Sequence, residues 1–203
     1  MKGIYYVALP LALLAGCFST SVPETKAWSV EPMPSRSEGL RSMEGPGPLF
    51  TATRLGSVVV NAPCDRTQFL VRRADGTVAY DHRNVFAAPP SSLLRASVQN
   101  ELNGDGRLGH VVNQASVVSS DAQIEVLVKD LSLDCREAGR RLACASVSVD
   151  VVNTGRGPRT IAYSGTGSAT ADAQDGNYSR AFSQVVSEAL GAAMDNALPP
   201  RRK

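Results

Sequence analysis

The residue with the most definite chemistry in this sequence is Cys17, which closes the run Leu14-Ala15-Gly16-Cys17. Small side chains ahead of a cysteine fit a narrow peptidase cleft, and the freed thiol can take a diacylglycerol through a thioether. The preceding residues agree with this chemistry. Lys2 supplies a positive start, and an apolar run follows from Ile4 to Ala15, interrupted only by Pro10. That run is too short to cross ~30 Å of hydrocarbon, which takes about 20 helical residues, but it has the length of a signal-peptide core. The pattern predicts cleavage before Cys17 and acylation of its sulfur. Each buried methylene of an acyl chain contributes ~0.8 kcal/mol to membrane binding, and two or more chains anchor stably. Phe18, where an aspartate would signal inner-membrane retention, predicts the outer membrane, facing the periplasm.

Three further cysteines remain, Cys64, Cys135 and Cys144, so at most one intrachain disulfide can form. Export permits one. Cys135 and Cys144 flank Arg136-Glu137-Ala138-Gly139-Arg140-Arg141 between two strand-like runs. A hairpin there favours a Cys135–Cys144 bridge over two free thiols, and closing such a loop contributes on the order of 2.5–3 kcal/mol. Cys64 is then expected to pack as a small apolar side chain.

Other chemistry is thinly represented. The two histidines, His82 and His110, are far from the cysteines in sequence, and there is no CxxC to seed a zinc site. No GxSxG elbow is present. Gly155-Arg156-Gly157 and Gly165-Thr166-Gly167 do not open a helix as a phosphate loop must. Asn103-Gly104-Asp105-Gly106 lacks the later carboxylates of a calcium loop. The reading is a protein without catalytic residues, metal or cofactor. Removing residues 1–16, which carry one lysine and no acid, takes the formal charge from +2 to +1. So small a charge gives no electrostatic footing for nucleic acid, and Arg201-Arg202-Lys203 reads as a solvated end.

The elements that would position these residues follow from periodicity. Residues 1–16 are read as signal peptide, 17–48 as a Pro- and Ser-rich tether and 49–203 as one folded domain. Within the tether, Thr25 to Glu31 around Trp28 could form a short strand docked on that domain. Strands are expected at Leu55–Val60, Gln68–Arg73 and Thr77–Asp81, the last two turned by Ala74-Asp75-Gly76. Ser91 or Ser92 would cap a helix running to Asn103, with Gly104 supplying a left-handed turn. Leu108–Asn113 reads as a short strand. Ile124–Leu133, with a bulge near Lys129-Asp130, and Ala143–Val151 read as long strands. After a turn at Asn153–Pro158 comes a strand at Thr160–Thr170. A helix from about Tyr178 to Leu198 carries one apolar stripe. The expected class is α+β, a mostly antiparallel sheet with two main helices on one face.

Gln68-Phe69-Leu70-Val71-Arg72-Arg73, then Tyr80-Asp81-His82-Arg83-Asn84-Val85-Phe86-Ala87-Ala88-Pro89-Pro90, Ser91-Ser92-Leu93-Leu94 and the terminal helix occur in one order behind the lipidation motif. In that order the stretch from about Val58 to Leu198 resembles the ABC-type transport auxiliary lipoprotein family, which includes the paraquat-inducible lipoprotein. Phe86 stands where such proteins often carry tryptophan, and the tether is long. The resemblance implies a non-catalytic periplasmic component of a lipid transport system, with an ABC permease and a substrate-binding protein of the mammalian-cell-entry (MCE) type as partners. Exposed sheet edges, or the Tyr80–Pro90 segment containing Tyr80, Arg83, Phe86 and Pro89, would then form the contact surface. Two other roles compete: an activator or scaffold of cell-wall synthesis, and a direct carrier with lipid in an apolar cavity.

Overall fold

Between Leu142 and Asn153, alanine and valine alternate with half-exposed polar residues, and this period of two builds a strand buried on one side only. The same logic runs through the fold, described here from a computed structural model for residues 24–33, 47–155, 158–173 and 176–200. Cys17 and the rest of the signal region lie outside the described residues.

The elements in chain order are β1 (Lys26–Trp28), β2 (Ala52–Val60), β3 (Gln68–Arg73), β4 (Val78–Phe86), α1 (Pro90–Gly104), β5 (His110–Val112), β6 (Ala122–Cys135), β7 (Leu142–Asn153), β8 (Thr160–Asp172) and α2 (Tyr178–Ala197). Among the described residues no helix is long and apolar enough to cross a membrane.

β6 is the spine of one sheet. Its first half pairs with β2 and its second half with β3, both parallel, while β7 runs antiparallel along its other edge. A bulge between Val128 and Asp130 separates the two halves. β5 lies outside β2, β4 outside β3, β1 outside β4, and β8 outside β7. The expected α+β single domain is found, with a mixed sheet. The longest ladders, β6·β7 and β7·β8, are antiparallel. The parallel pairings arise because residues 61–67 carry the chain past the β6 bulge without reversing it, so β2 and β3 run the same way.

Both helices pack on the face that presents Ile124, Val126, Val147 and Val149, and α1 also touches α2. The opposite face carries Gln123, Glu125, Ser146, Ser148 and Asp150 and is open to solvent. α2 lies unusually close to β8. A Cβ added to Gly165 would sit 2.5 Å from the Ala197 nitrogen and 2.8 Å from its Cβ; one added to Gly167 would sit 2.8 Å from the Ala192 Cβ. The β8 glycines are therefore packing residues. Deeper in, Phe69, Phe86 and Phe182 form a triangle with ring centroids 4.5–5.0 Å apart, and Tyr178 sits 5.4 Å from Phe69.

Several local expectations are corrected. α1 begins at Pro90, whose missing N–H costs nothing in a first turn, and Ser91 is inside the helix. The Ser91 N–H is satisfied from outside by the Asp65 carboxylate at 2.9 Å. Gly104 ends α1 without a left-handed turn. The positive φ occurs at Gly109, φ 64°, where a Cβ would strike the Thr51 carbonyl oxygen. Beside this turn the Asp105 carboxylate holds Arg107 at 2.6 Å, and Arg107 also reaches Asp195 at 2.9 Å.

The Cys135–Cys144 disulfide is absent, and both thiols are free, as is buried Cys64. The register explains why. Cys144 lies opposite Ser132 and Asp134 lies opposite Leu142, so Cys135 is three positions beyond the residue facing Cys144. At ~3.3 Å per strand residue, the gap is about 10 Å, more than a disulfide spans. Alternation also sends the two thiols to opposite faces: Cys135 packs toward the helix-side core, and Cys144 shares the open face with Ser146. Burial pushes all three thiols up from their ordinary range, which slows their reaction at neutral pH. Protein isolated without reductant and then unfolded is expected to titrate with a thiol reagent at Cys64, Cys135 and Cys144. A titre of Cys64 alone would contradict this register.

Candidate docking surface

The candidate contact residues lie along β4, whose regular pairing breaks at one place. Gln68 faces Val85 and Phe69 faces Asp81, so His82, Arg83 and Asn84 form a bulge that no residue of β3 faces. The Asp81 carboxylate holds the bulge by accepting from the Arg83 N–H at 2.8 Å, the Asn84 N–H at 3.2 Å and the Asn84 side-chain amide at 3.0 Å. Partial burial pushes the Asp81 carboxyl up. The Asn84 and Arg83 hydrogen bonds, with nearby Arg141, outweigh it and leave the group below its ordinary range, ionised at neutral pH. Bulges of this kind re-aim side chains, and here His82 and Arg83 are turned to solvent.

Of the four residues singled out in the sequence, the structure leaves three at the surface. Tyr80 is half-buried; its ring lies 5.0 Å from the Arg66 guanidinium carbon, and its hydroxyl donates to the Pro63 carbonyl at 3.3 Å. Arg83 is exposed on the bulge, and Pro89 is exposed ahead of α1. Phe86 is corrected: it is 2% exposed and belongs to the aromatic core. The bulge shifts the alternation after Asp81, so a residue that simple counting would turn outward points in.

Residues of the supposed tether complete the surface. β1 adds to the edge of β4, with Lys26, Ala27 and Trp28 opposite Asn84, Val85 and Phe86. The Trp28 indole N–H donates to the Asn84 side-chain oxygen at 3.2 Å, and its ring meets Tyr178 edge-on at 5.3 Å. Val30 is buried, the Glu31 N–H donates to the Ser183 hydroxyl at 2.9 Å, and the Asn100 amide donates to the Met33 carbonyl at 2.8 Å. Residues 24–33 thus pack on the domain, with the short docked strand expected around Trp28 found at Lys26–Trp28. A lone tryptophan among polar residues was the only trace of this in the sequence. Arg66 and Arg141, which complete the cationic rim around Tyr80 and Asp81, left none.

A second feature lies at the start of β6. Among residues 113–120, Val117 is fully exposed and Val118 is 47% exposed. The segment is held by Arg54, which donates to the carbonyls of Gln114, Ser116 and Val118 at 3.0, 2.8 and 2.5 Å. His110, on β5, is separated from His82, on β4, by three strands. Among the described residues no group of three or more His, Cys, Asp or Glu is placed to hold a metal ion.

No family model and no curated protein matches this chain. Solved structures do. Protein XCC0632 from Xanthomonas campestris, of the DUF330 family, is 15% identical, with a TM-score of 0.58 over 80% of this chain and 88% of that one. An uncharacterized protein, also 15% identical, matches with a TM-score of 0.51 over 85% of this chain and 95% of its own. At such identity these matches establish a shared fold.

Proposed function

We propose that the protein is a lipid-anchored, non-catalytic docking component of an envelope transport system of the ABC/MCE type, working in lipid traffic between the two membranes. The observation that carries this reading is the docking of β1 on β4. It leaves only six residues, 18–23, between Cys17 and the first described residue. At no more than ~3.6 Å per residue, an acylated sulfur at position 17 holds Lys26, which faces Asn84 of the β4 bulge, within roughly 32 Å of the bilayer. A tether running to residue 48 would have let the domain face any direction. A short one keeps Lys26, Arg83 and the Arg66–Tyr80 pair beside the membrane and raises their effective concentration for a partner embedded there. The exposed Arg and Tyr side chains are of the kind that carry interface energy. The order of sequence pieces behind the lipidation motif supports the transport assignment.

A photo-crosslinking residue at Arg83 tests this in living cells, with Asn113 as a control on a different part of the surface. The expected adducts are an MCE-type substrate-binding protein or its permease at Arg83, and neither at Asn113. Adducts with a cell-wall synthase, or equal labelling from both sites, would overturn the reading.

A further inference from the structure

We propose that the segment joining β5 to β6 is a second membrane contact, whose tip, Val117 and Val118, seats in the headgroup boundary of the bilayer that holds the anchor. The inference rests on the lipid-anchor reading of Cys17. Single apolar side chains on a surface are ordinary. Here two adjacent valines stand out, Val117 fully exposed and Val118 47% exposed. Their surroundings, Asn113-Gln114-Ala115-Ser116 before and Ser119-Ser120 after, hold no charge to keep them in water. They also hold none of the aromatic or arginine side chains that carry most protein interfaces.

The backbone of this tip brings its hydrogen bonds already made. Arg54 donates to the carbonyls of Gln114, Ser116 and Val118. The Val118 N–H donates to the Ser116 hydroxyl at 3.2 Å, and the Thr154 hydroxyl donates to the Ser120 carbonyl at 2.9 Å. From α1, Arg95 holds the Gln114 side chain at 3.1 Å. Polar backbone entering an apolar boundary costs most when its partners are missing, and a loop fixed beforehand loses little conformational freedom on contact.

Two observations identify a lipid surface as the occupant. The first is topological. β2 and β3 pair with the same edge of β6, whose other edge takes β7. β5, outside β2, and β1, outside β4 and β3, therefore lie on one side of the sheet, and an anchor that draws in β1 draws in the side carrying the loop. The second is where the chain ends. Arg107, two residues before Gly109, donates to the Pro199 carbonyl at 3.4 Å, and its own carbonyl accepts from the N–H of Leu49, which is 41% exposed. The chain thus leaves the domain beside β5, and Arg201, Arg202 and Lys203 follow in the sequence. The carboxylates at this end are engaged within the fold: Asp105 and Asp195 with Arg107, and Asp121 with the Thr51 and Ala52 N–H groups. A short apolar tip beside basic residues matches the apolar boundary and anionic headgroups of a bilayer. Such a contact is weak alone and becomes effective once the acyl chains have confined the domain.

The test is fluorescence quenching in the full-length protein, reconstituted into vesicles of phosphatidylethanolamine and phosphatidylglycerol whose acyl chains are brominated near the headgroup. Flotation reports the anchor, quenching reports the loop, and thermal melts verify folding. Trp28 is the only tryptophan in the chain, so the parent protein supplies the background. Val117→Trp introduces a reporter at the tip, and Ile161→Trp introduces one at an exposed position on β8, at the opposite edge of the sheet. The reporter at 117 is expected to be quenched about threefold more than the one at 161. Adding Val118→Asp should remove that difference. Adding Arg201→Gln, Arg202→Gln and Lys203→Gln together should reduce it about twofold. Equal quenching at 117 and 161 in protein that floats would overturn the loop contact and leave the anchor standing. Quenching at 117 indifferent to both sets of changes would overturn it too, and protein that does not float would overturn contact and anchor together.

Discussion

Replacing Gly167 with valine is expected to lower the melting temperature of the domain by about 6–12 °C, equivalent to about 3 kcal/mol for a protein of this size. The reason is local and geometric. α2 crosses β8 where the strand carries Gly165 and Gly167 and the helix carries Ala189, Ala193 and Ala197. A side chain at Gly167 would collide with the Ala189 carbonyl and the Ala193 amide, closer than carbon atoms pack, as well as with the Ala192 methyl. Two of these obstacles are helix backbone, so no rotamer change relieves them and α2 must lift from the sheet. Overpacking in a filled core costs about 1–3 kcal/mol and more when backbone must move. Stiffening the unfolded chain by removing a glycine returns less than about 1 kcal/mol. A melt lowered by less than about 2 °C would show that α2 is not seated as described.

The second large effect is expected at Phe69. Its side chain is fully buried and touches Phe86, Tyr178 and Phe182, so it links β3, β4 and α2 through one ring. Phe69→Ala should cost about 3–5 kcal/mol, from lost transfer energy and the cavity left behind, read as a fall in the urea midpoint at unchanged slope. Domains of this size have about 5–15 kcal/mol in total, so the variant should be marginal at 37 °C. The same change should loosen residues 24–33, because Trp28 packs on Tyr178 and Tyr178 packs on Phe69. A loss below about 1 kcal/mol would contradict the role given to this ring.

These two sites show what periodicity can and cannot reveal. The alternation in β7 and the stripe on α2 were legible because each reflects one buried face of one regular element. Gly165 and Gly167 could be recognised as strand glycines, but their purpose depends on a helix more than twenty residues further along. The Cys135–Cys144 pairing failed for a related reason. Two cysteines flanking a hairpin turn are neighbours in sequence, yet bonding requires facing positions on one side, and the actual register offsets them. Phe86 was misplaced by the Asp81–Asn84 bulge, which resets the alternation halfway along β4. β1 pairs with a strand nearly sixty residues away, and nothing local marks such a contact except Trp28 itself. In the candidate site, Tyr80, Arg83 and Pro89 were found because they follow a conspicuous run, whereas Arg66, Asn84 and Arg141 enter only through tertiary contacts.

The whole functional account depends on a hydrocarbon anchor a few residues from β1. Mass analysis of the N-terminal peptide from membranes of the producing cell tests it most directly. The expected result is a chain that starts at Cys17 and carries the added mass of a thioether-linked diacylglycerol. A chain that retains residues 1–16, or that starts at Cys17 with an unmodified thiol, would contradict it.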